Sequence, residues 1–262
     1  MPTAHHDGTD VFYRVDGAGP ALVLVHGTGG NGEINFGHLV PRLAERFTVL
    51  RPDYSGSGET VDPGGALTVG RLADEVMAAA DAAGLERFDL VGFSLGAPVA
   101  VDLAARHPDR VRRLVLTAGF ARADDARMQL QFRLWRHLAE HDPELQTRLQ
   151  WLTGYSPGFV ASLAPEAVEE AIATAVRIRR WPGFIRQVDL DLGLDVREAA
   201  RAVRCPTLSI GCRLDHIVPP AHARELADLI PGARHAEIES GHVAPIEQPD
   251  VFVAMVEAFL DG

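Results

Sequence analysis

The residues best suited to chemistry lie in short segments far apart along the chain. Gly92-Phe93-Ser94-Leu95-Gly96 sets a serine hydroxyl between two glycines. A buried apolar run, Phe88 to Phe93, precedes it and an amphipathic stretch, Leu95 to Arg106, follows. That order predicts a tight strand-to-helix turn, which needs small residues on both sides because the two elements pack closely. Such a turn exposes the hydroxyl and sets the free N–H groups of a helix start beside any negative charge that forms there. A serine hydroxyl is a weak nucleophile without a base. His242, in Glu239-Ser240-Gly241-His242-Val243, follows the last predicted strand and is the candidate. An imidazole in that role needs a carboxylate on its other nitrogen to hold the tautomer. Asp215, in the loop Gly211 to Pro219 after another buried strand, fits, with Asp124 or Asp125 as the alternative acid.

A negative oxygen formed at Ser94 needs two donors. Leu95 supplies one N–H group. The glycine-rich segment His26-Gly27-Thr28-Gly29-Gly30 supplies the other, from Thr28 or Gly29. The bland readings are a helix-capping serine, a surface histidine, a turn aspartate and a plain glycine turn. Each is plausible alone and weak against the set. A second glycine-rich piece, Asp53 to Gly58, lacks both the dinucleotide register and the lysine of a phosphate loop. It reads as a tight turn shaping the pocket floor. His5, His6, His38, His107, His137, His141, His222 and His235 read as solvated or helix-end residues.

The elements that must position these groups alternate between strand and helix. Strands are predicted at Val11 to Val15, after a short first strand and an Asp7-Gly8 turn, and at Ala21 to His26, Phe47 to Leu50, Phe88 to Phe93 and Val111 to Thr117. Helices fall at Phe36 to Ala44, Val69 to Ala83 and Leu95 to Arg106. Continuous apolar strands between helices indicate an α/β chain with a largely parallel sheet. From Arg122 to Val203 the strand pattern disappears, and Pro143, Pro157, Pro165 and Pro182 punctuate apolar, helix-like runs. This segment reads as an insert of roughly four helices, a lid over the strand ends. Strands at Thr207 to Gly211 and Arg234 to Ile238 and helices at Ala221 to Leu229 and Val251 to Leu260 close the chain.

Composition narrows the function classes. The 262 residues suffice for one large core, and 47% of them are apolar. The net charge is −11, with no run of Lys or Arg to grip nucleic acid. The pairs Arg112-Arg113 and Arg179-Arg180 read as solvated faces or local ion pairs. Cys205 and Cys212 flank one strand, too far apart to bridge. The first residues have neither a basic start nor an apolar run, so a cytoplasmic location is expected, without membrane association. Self-association into a homo-oligomer stays open.

Together these segments resemble the α/β-hydrolase family, over almost the whole chain. The match rests on the HG-x-G-G loop at His26 to Gly30, the D-x-x-G-x-G turn at Asp53 to Gly58 and the elbow at Gly92 to Gly96. It continues through G-x-x-x-D-x-x-V-P at Gly211 to Pro219 and GH-x-x-x-x-E-x-P at Gly241 to Pro249. The chain departs from common members at Ser55, where arginine is frequent, and at Phe93, where histidine or asparagine is frequent. The order Ser94, Asp215, His242 is the family's order. The resemblance implies a mostly parallel eight-stranded sheet flanked by helices, with residues 1–120 and 204–262 as core and 121–203 as helical lid. It implies a serine hydrolase without cofactor or metal, acting on a small molecule. A carboxylic ester or lactone with a largely apolar acyl or ring portion is the expected substrate. Thioester hydrolysis, cyclisation, acyl transfer and cofactor-free perhydrolysis are the alternatives. A ligand-binding protein on the same fold is the rival class, and it predicts a damaged triad.

Overall fold

The computed structural model describes residues 2–262. Eight strands form one sheet: β1 (Thr3–His6), β2 (Thr9–Asp16), β3 (Ala21–Val25), β4 (Thr48–Pro52), β5 (Phe88–Phe93), β6 (Val111–Thr117), β7 (Thr207–Cys212) and β8 (Arg234–Ile238). Their order across the sheet is β1-β2-β4-β3-β5-β6-β7-β8. β1 and β2 join antiparallel, β2 meets β4 antiparallel, and every later pair is parallel. The apolar runs are buried on both faces because parallel strands lie between two helical layers. Along β3 the side chains alternate between two cores: Val23 and Val25 join one, Leu22 and Leu24 the other. Each such fully buried side chain contributes about 1.5–3 kcal/mol of transfer free energy.

The first core is closed by α3 (Val69–Ala82), α4 (Gly96–Arg106) and α11 (Pro220–Leu229), and the second by α13 (Pro249–Asp261). Thr68 caps α3 by accepting the Arg71 N–H at 3.1 Å, and α4 ends at His107, just before Pro108. The single helix expected over Phe36 to Ala44 is instead broken into α1 (Gly32–Phe36), a 3-10 turn (Gly37–Leu39) and α2 (Val40–Leu43). Pro41 lacks the N–H that a continuous helix would need at that point. The pattern also missed α12 (Ala244–Glu247), a single turn too short to carry periodicity. Cys205 and Cys212 are buried free thiols.

Between β6 and β7 the chain leaves the sheet, and no strand forms there apart from an isolated Arg122–Asp195 bridge. The insertion holds six helices rather than four: α5 (Ala126–His141), α6 (Pro143–Gly154), α7 (Pro157–Ser162), α8 (Pro165–Ile178), α9 (Trp181–Gly193) and α10 (Arg197–Ala202). Prolines at Pro143, Pro157, Pro165 and Pro182 sit in first turns, where the missing N–H costs nothing. They start helices, which is why counting them as punctuation underestimates the helix number. Side-chain oxygens of Asp125, Asp142 and Ser156 cap α5, α6 and α7.

Candidate active site

Ser94 occupies the turn between β5 and α4 at φ 54°. A non-glycine residue held there stores strain on the order of 1–3 kcal/mol. The turn is fixed by two bonds, Ser94 N–H to the Thr117 carbonyl at 2.9 Å and Ala97 N–H to the Ser94 carbonyl at 2.8 Å. A Cβ on Gly92 would strike the Gly96 carbonyl, and one on Gly96 would strike the carbonyls of Val25 and His26. Both glycines are therefore demanded by the packing of helix on strand.

The Ser94 hydroxyl lies 2.9 Å from His242 Nε2, and His242 Nδ1 lies 2.7 Å from Asp215 Oδ2. A carboxylate can only accept, so Nδ1 carries the hydrogen and Nε2 is left to accept from Ser94. The other carboxylate oxygen of Asp215 accepts the N–H groups of Ile217 and Val218, each at 2.8 Å. Those two bonds orient the acid. All three side chains are buried, with Ser94 8% exposed. Asp124 and Asp125 are engaged elsewhere: Asp124 pairs with Arg122 at 2.8 Å, and Asp125 caps α5. Of the candidate oxyanion donors, the N–H groups of Leu95 and Thr28 have no protein acceptor among the described residues. The Gly29 N–H is spent on Gln187 Oε1 at 2.8 Å. Among the described residues no group of carboxylates, histidines and cysteines is placed to hold a metal ion.

The family model described as alpha/beta hydrolase fold matches residues 20–249. The chain belongs to the α/β-hydrolase fold family. A pyrrolizixenacetamide deacetylase from Xenorhabdus hominickii is 49% identical over 250 residues, 95% of this chain and 94% of that protein. Among solved structures, the enol-lactonase of Burkholderia xenovorans LB400 is similar with TM-score 0.88 and 27% identity, covering 100% of both chains. A hydrolase from Pseudomonas aeruginosa PA01 has TM-score 0.87 and 27% identity, covering 99% of this chain and 97% of the other.

In this α/β hydrolase the site opens into a cavity of about 340 Å³, small for a ligand pocket. Ser94, His242 and Phe93 line it from the sheet side, with Trp135, Trp151 and Tyr155 from the insertion. Phe93 stands before Ser94 and tilts against the His242 ring at 5.2 Å between centroids. Burial pushes the Tyr155 hydroxyl up to about 12, so it stays protonated at neutral pH. No helix among the described residues is long and apolar enough to cross a membrane.

Several residues that shape the site carry no local signal. Gln187 and Asp191 stand one turn apart on α9 and reach down to the loop carrying Thr28. Besides accepting from Gly29, Gln187 donates through Nε2 to the Ser57 hydroxyl at 2.7 Å and the Ser55 carbonyl at 3.1 Å. Asp191 accepts from the Thr28 hydroxyl at 2.7 Å. Burial raises the Asp191 carboxyl to about 8, only partly offset by the Thr28 bond. Glu247 binds the N–H groups of Gly241 and Ser156 at 3.1 and 2.9 Å, tying the His242 loop to the insertion. The turn at Asp53 to Gly58 does not line the main cavity; it forms the seat of Gln187. Its Ser55 hydroxyl donates to Glu75 at 2.5 Å and accepts from Arg71 at 3.3 Å. His26 lies outside the hydrogen-bonded chain: its ring stacks on Tyr54 at 3.9 Å, and burial lowers its pKa. The expectation of solvated or ion-paired arginines holds for Arg112, which pairs with Asp89 at 2.6 Å, and fails for Arg179, which is half-buried on the cavity wall.

Proposed function

We propose that this α/β hydrolase cleaves the acyl bond of a compact, largely apolar molecule through an acyl-enzyme on Ser94, and that an N-acyl group is its target. The observation that carries the proposal is the unbroken chain Ser94–His242–Asp215, at 2.9 and 2.7 Å, opening into the small cavity. Ser94 Oγ attacks the carbonyl carbon as its proton passes to His242 Nε2. The carbonyl oxygen becomes an oxyanion facing the N–H groups of Leu95 and Thr28. Collapse breaks the C–N bond, and His242 returns the proton to the departing nitrogen, which could not leave as an anion. Water then attacks the acyl-enzyme by the same route, and Ser94 regains its proton. Asp215 keeps the imidazole in one tautomer and balances its transient positive charge. The helices from α5 to α10 act as the lid, because they supply the aromatic wall opposite the sheet.

The amide is favoured over other acyl bonds by the likeness to the deacetylase, whose name points to removal of an acetyl group. An ester or lactone is the second reading, supported by the likeness to the enol-lactonase. The test compares kcat/KM for matched N-acetyl, O-acetyl, lactone and thioester substrates in wild type and Ser94→Ala. The amide should be turned over and all activity should vanish in the variant. An ester or lactone preferred with no measurable amide cleavage shifts the assignment to the second reading. Turnover surviving in Ser94→Ala removes the mechanism itself.

A further inference from the structure

Resting on the reading of the cavity as the substrate pocket, we propose that the lid side of this cavity is a subsite for a second oxygen acceptor on the substrate, gripped by Arg179.

Arg179 follows α8 at the corner leading into α9 and lines the cavity. It forms no ion pair among the described residues. Its one hydrogen bond runs from Nη1 to Gln146 Oε1 at 2.7 Å. Its guanidinium lies against the rings of Trp181 and Phe184, at 5.1 and 4.9 Å from their centroids. The neighbouring arginines each have a carboxylate or carbonyl partner. Arg186 pairs with Asp62 at 2.7 Å, Arg148 with Glu169 at 2.6 Å, and Arg180 donates to the Thr60 carbonyl at 2.7 Å. Desolvation lowers the Arg179 guanidinium to about 10, which still leaves it charged at neutral pH. A partly desolvated cation without a counter-charge carries part of the burial cost, and a ligand that brings an oxygen acceptor relieves it.

Two further unpaired groups share this wall. The Trp135 indole N–H is buried without a partner, and so is the Gln150 side-chain carbonyl oxygen, an acceptor. Both residues line the cavity. Trp135 stacks on Phe184 at 6.1 Å, so it flanks the ring that Arg179 also covers. Gln150 stands one turn along α6 from Gln146, the residue that holds Arg179, and so on the same helix face. The wall therefore offers a fork of guanidinium donors amid aromatic surface, with a buried indole N–H that has no partner. Planar oxygen acceptors match that fork. The substrate class that follows is an acyl compound with a compact apolar body and, away from the scissile carbonyl, a carboxylate or a neutral carbonyl.

The test uses p-nitrophenyl esters of hexanoic, 5-oxohexanoic and glutaric acid, which differ mainly in the far group. Wild type should prefer one of the two oxygen-bearing esters to the hexanoate. Arg179→Met, which keeps an apolar stem, should cut that preference at least about tenfold, in KM rather than kcat, a loss of about 1.4 kcal/mol. Hexanoate turnover should change less than twofold, and Arg179→Lys should restore part of the loss. A larger effect on glutarate assigns a carboxylate; a larger effect on 5-oxohexanoate assigns a neutral carbonyl. Wild-type preference for hexanoate, or equal slowing of all three esters by Arg179→Met and Arg179→Lys, overturns the proposal and leaves Arg179 a structural corner. Calorimetric binding of glutaramate, 5-oxohexanamide and hexanamide to Ser94→Ala separates this from the hydrolytic reading. Arg179-dependent binding without turnover of the esters or of the matched N-acetyl substrates keeps the subsite and removes the hydrolytic function. Turnover without any Arg179 dependence does the reverse, and neither binding nor turnover rejects both.

Discussion

The two walls of the cavity are built on different principles. On the sheet side, Ser94, Asp215 and His242 stand on loops that follow parallel strands β5, β7 and β8, and hydrogen bonds from backbone N–H groups hold each loop. On the insertion side, Gln187, Asp191 and Arg179 come from helix faces and corners, and each reaches a partner distant in sequence, such as Gly29, Thr28 or Gln146. Under the proposed function, the contrast assigns reactivity and selectivity to separable structures. Strand ends in a packed sheet can hold reacting atoms in one arrangement, whereas an insertion of helices can be rebuilt without disturbing them.

If that division holds, substitutions on the sheet wall should abolish rate, and those on the insertion should retune it. The largest effect belongs to Ser94→Ala, which should remove turnover and fluorophosphonate labelling while leaving the melting temperature close to wild type, since alanine keeps the Cβ and the strained φ of 54°. Labelling that persists at another serine would break the comparison at its centre. Next comes Asp215→Asn, expected to lower kcat on the order of 10⁴-fold by analogy with the protease triad, with folding retained. A loss under tenfold would mean that another group orients His242.

Gln187→Leu probes the seam between the two walls. It frees the Gly29 N–H and leaves the Ser55 carbonyl and Ser57 hydroxyl without their partner, so the loop carrying Thr28 should loosen. A fall in kcat of roughly tenfold with little change in KM is expected, about 1.4 kcal/mol in the barrier. An increase in KM alone would place Gln187 in ground-state binding instead. The smallest effect on rate is expected at Asp191, where the readout is instead a pH dependence of stability. Its carboxyl titrates near 8 when folded, above the ordinary carboxylate range of the unfolded chain. The folded state therefore holds the proton more tightly, and the stabilisation it brings is fully present below about pH 4 and lost as pH rises through 8. Asp191→Asn should gain melting temperature relative to wild type between pH 5 and pH 9. A constant difference across that range would show that Asp191 does not carry a proton in the folded state.

Much of the sheet wall is legible in the amino-acid sequence because its signals are local. Gly92 and Gly96 around Ser94 report a backbone approach that only glycine permits, and an apolar strand on one side with a helix on the other supplies the context. Asp215 and His242 are readable in the same way, as polar residues in loops that follow apolar strands. The helices of the insertion are readable as a class but not in number, since prolines that open helices look like breaks. The choice between Thr28 and Gly29 is not readable at all: both follow the same strand, and only a glutamine more than 150 residues away occupies one of the two N–H groups.

By itself, then, the amino-acid sequence determined the α/β pattern, the position of the insertion and three candidate reacting residues, because periodicity, glycine and loop placement act over a few neighbouring residues. Tertiary structure alone decided what surrounds those residues. Arg179 reads as one of a surface pair until the corner between α8 and α9 is folded against α5 and α6. Asp191 reads as an ordinary helix carboxylate until burial raises it to about 8 against Thr28. Desolvation and long-range pairing arise only when distant segments pack, so no short stretch of sequence contains them.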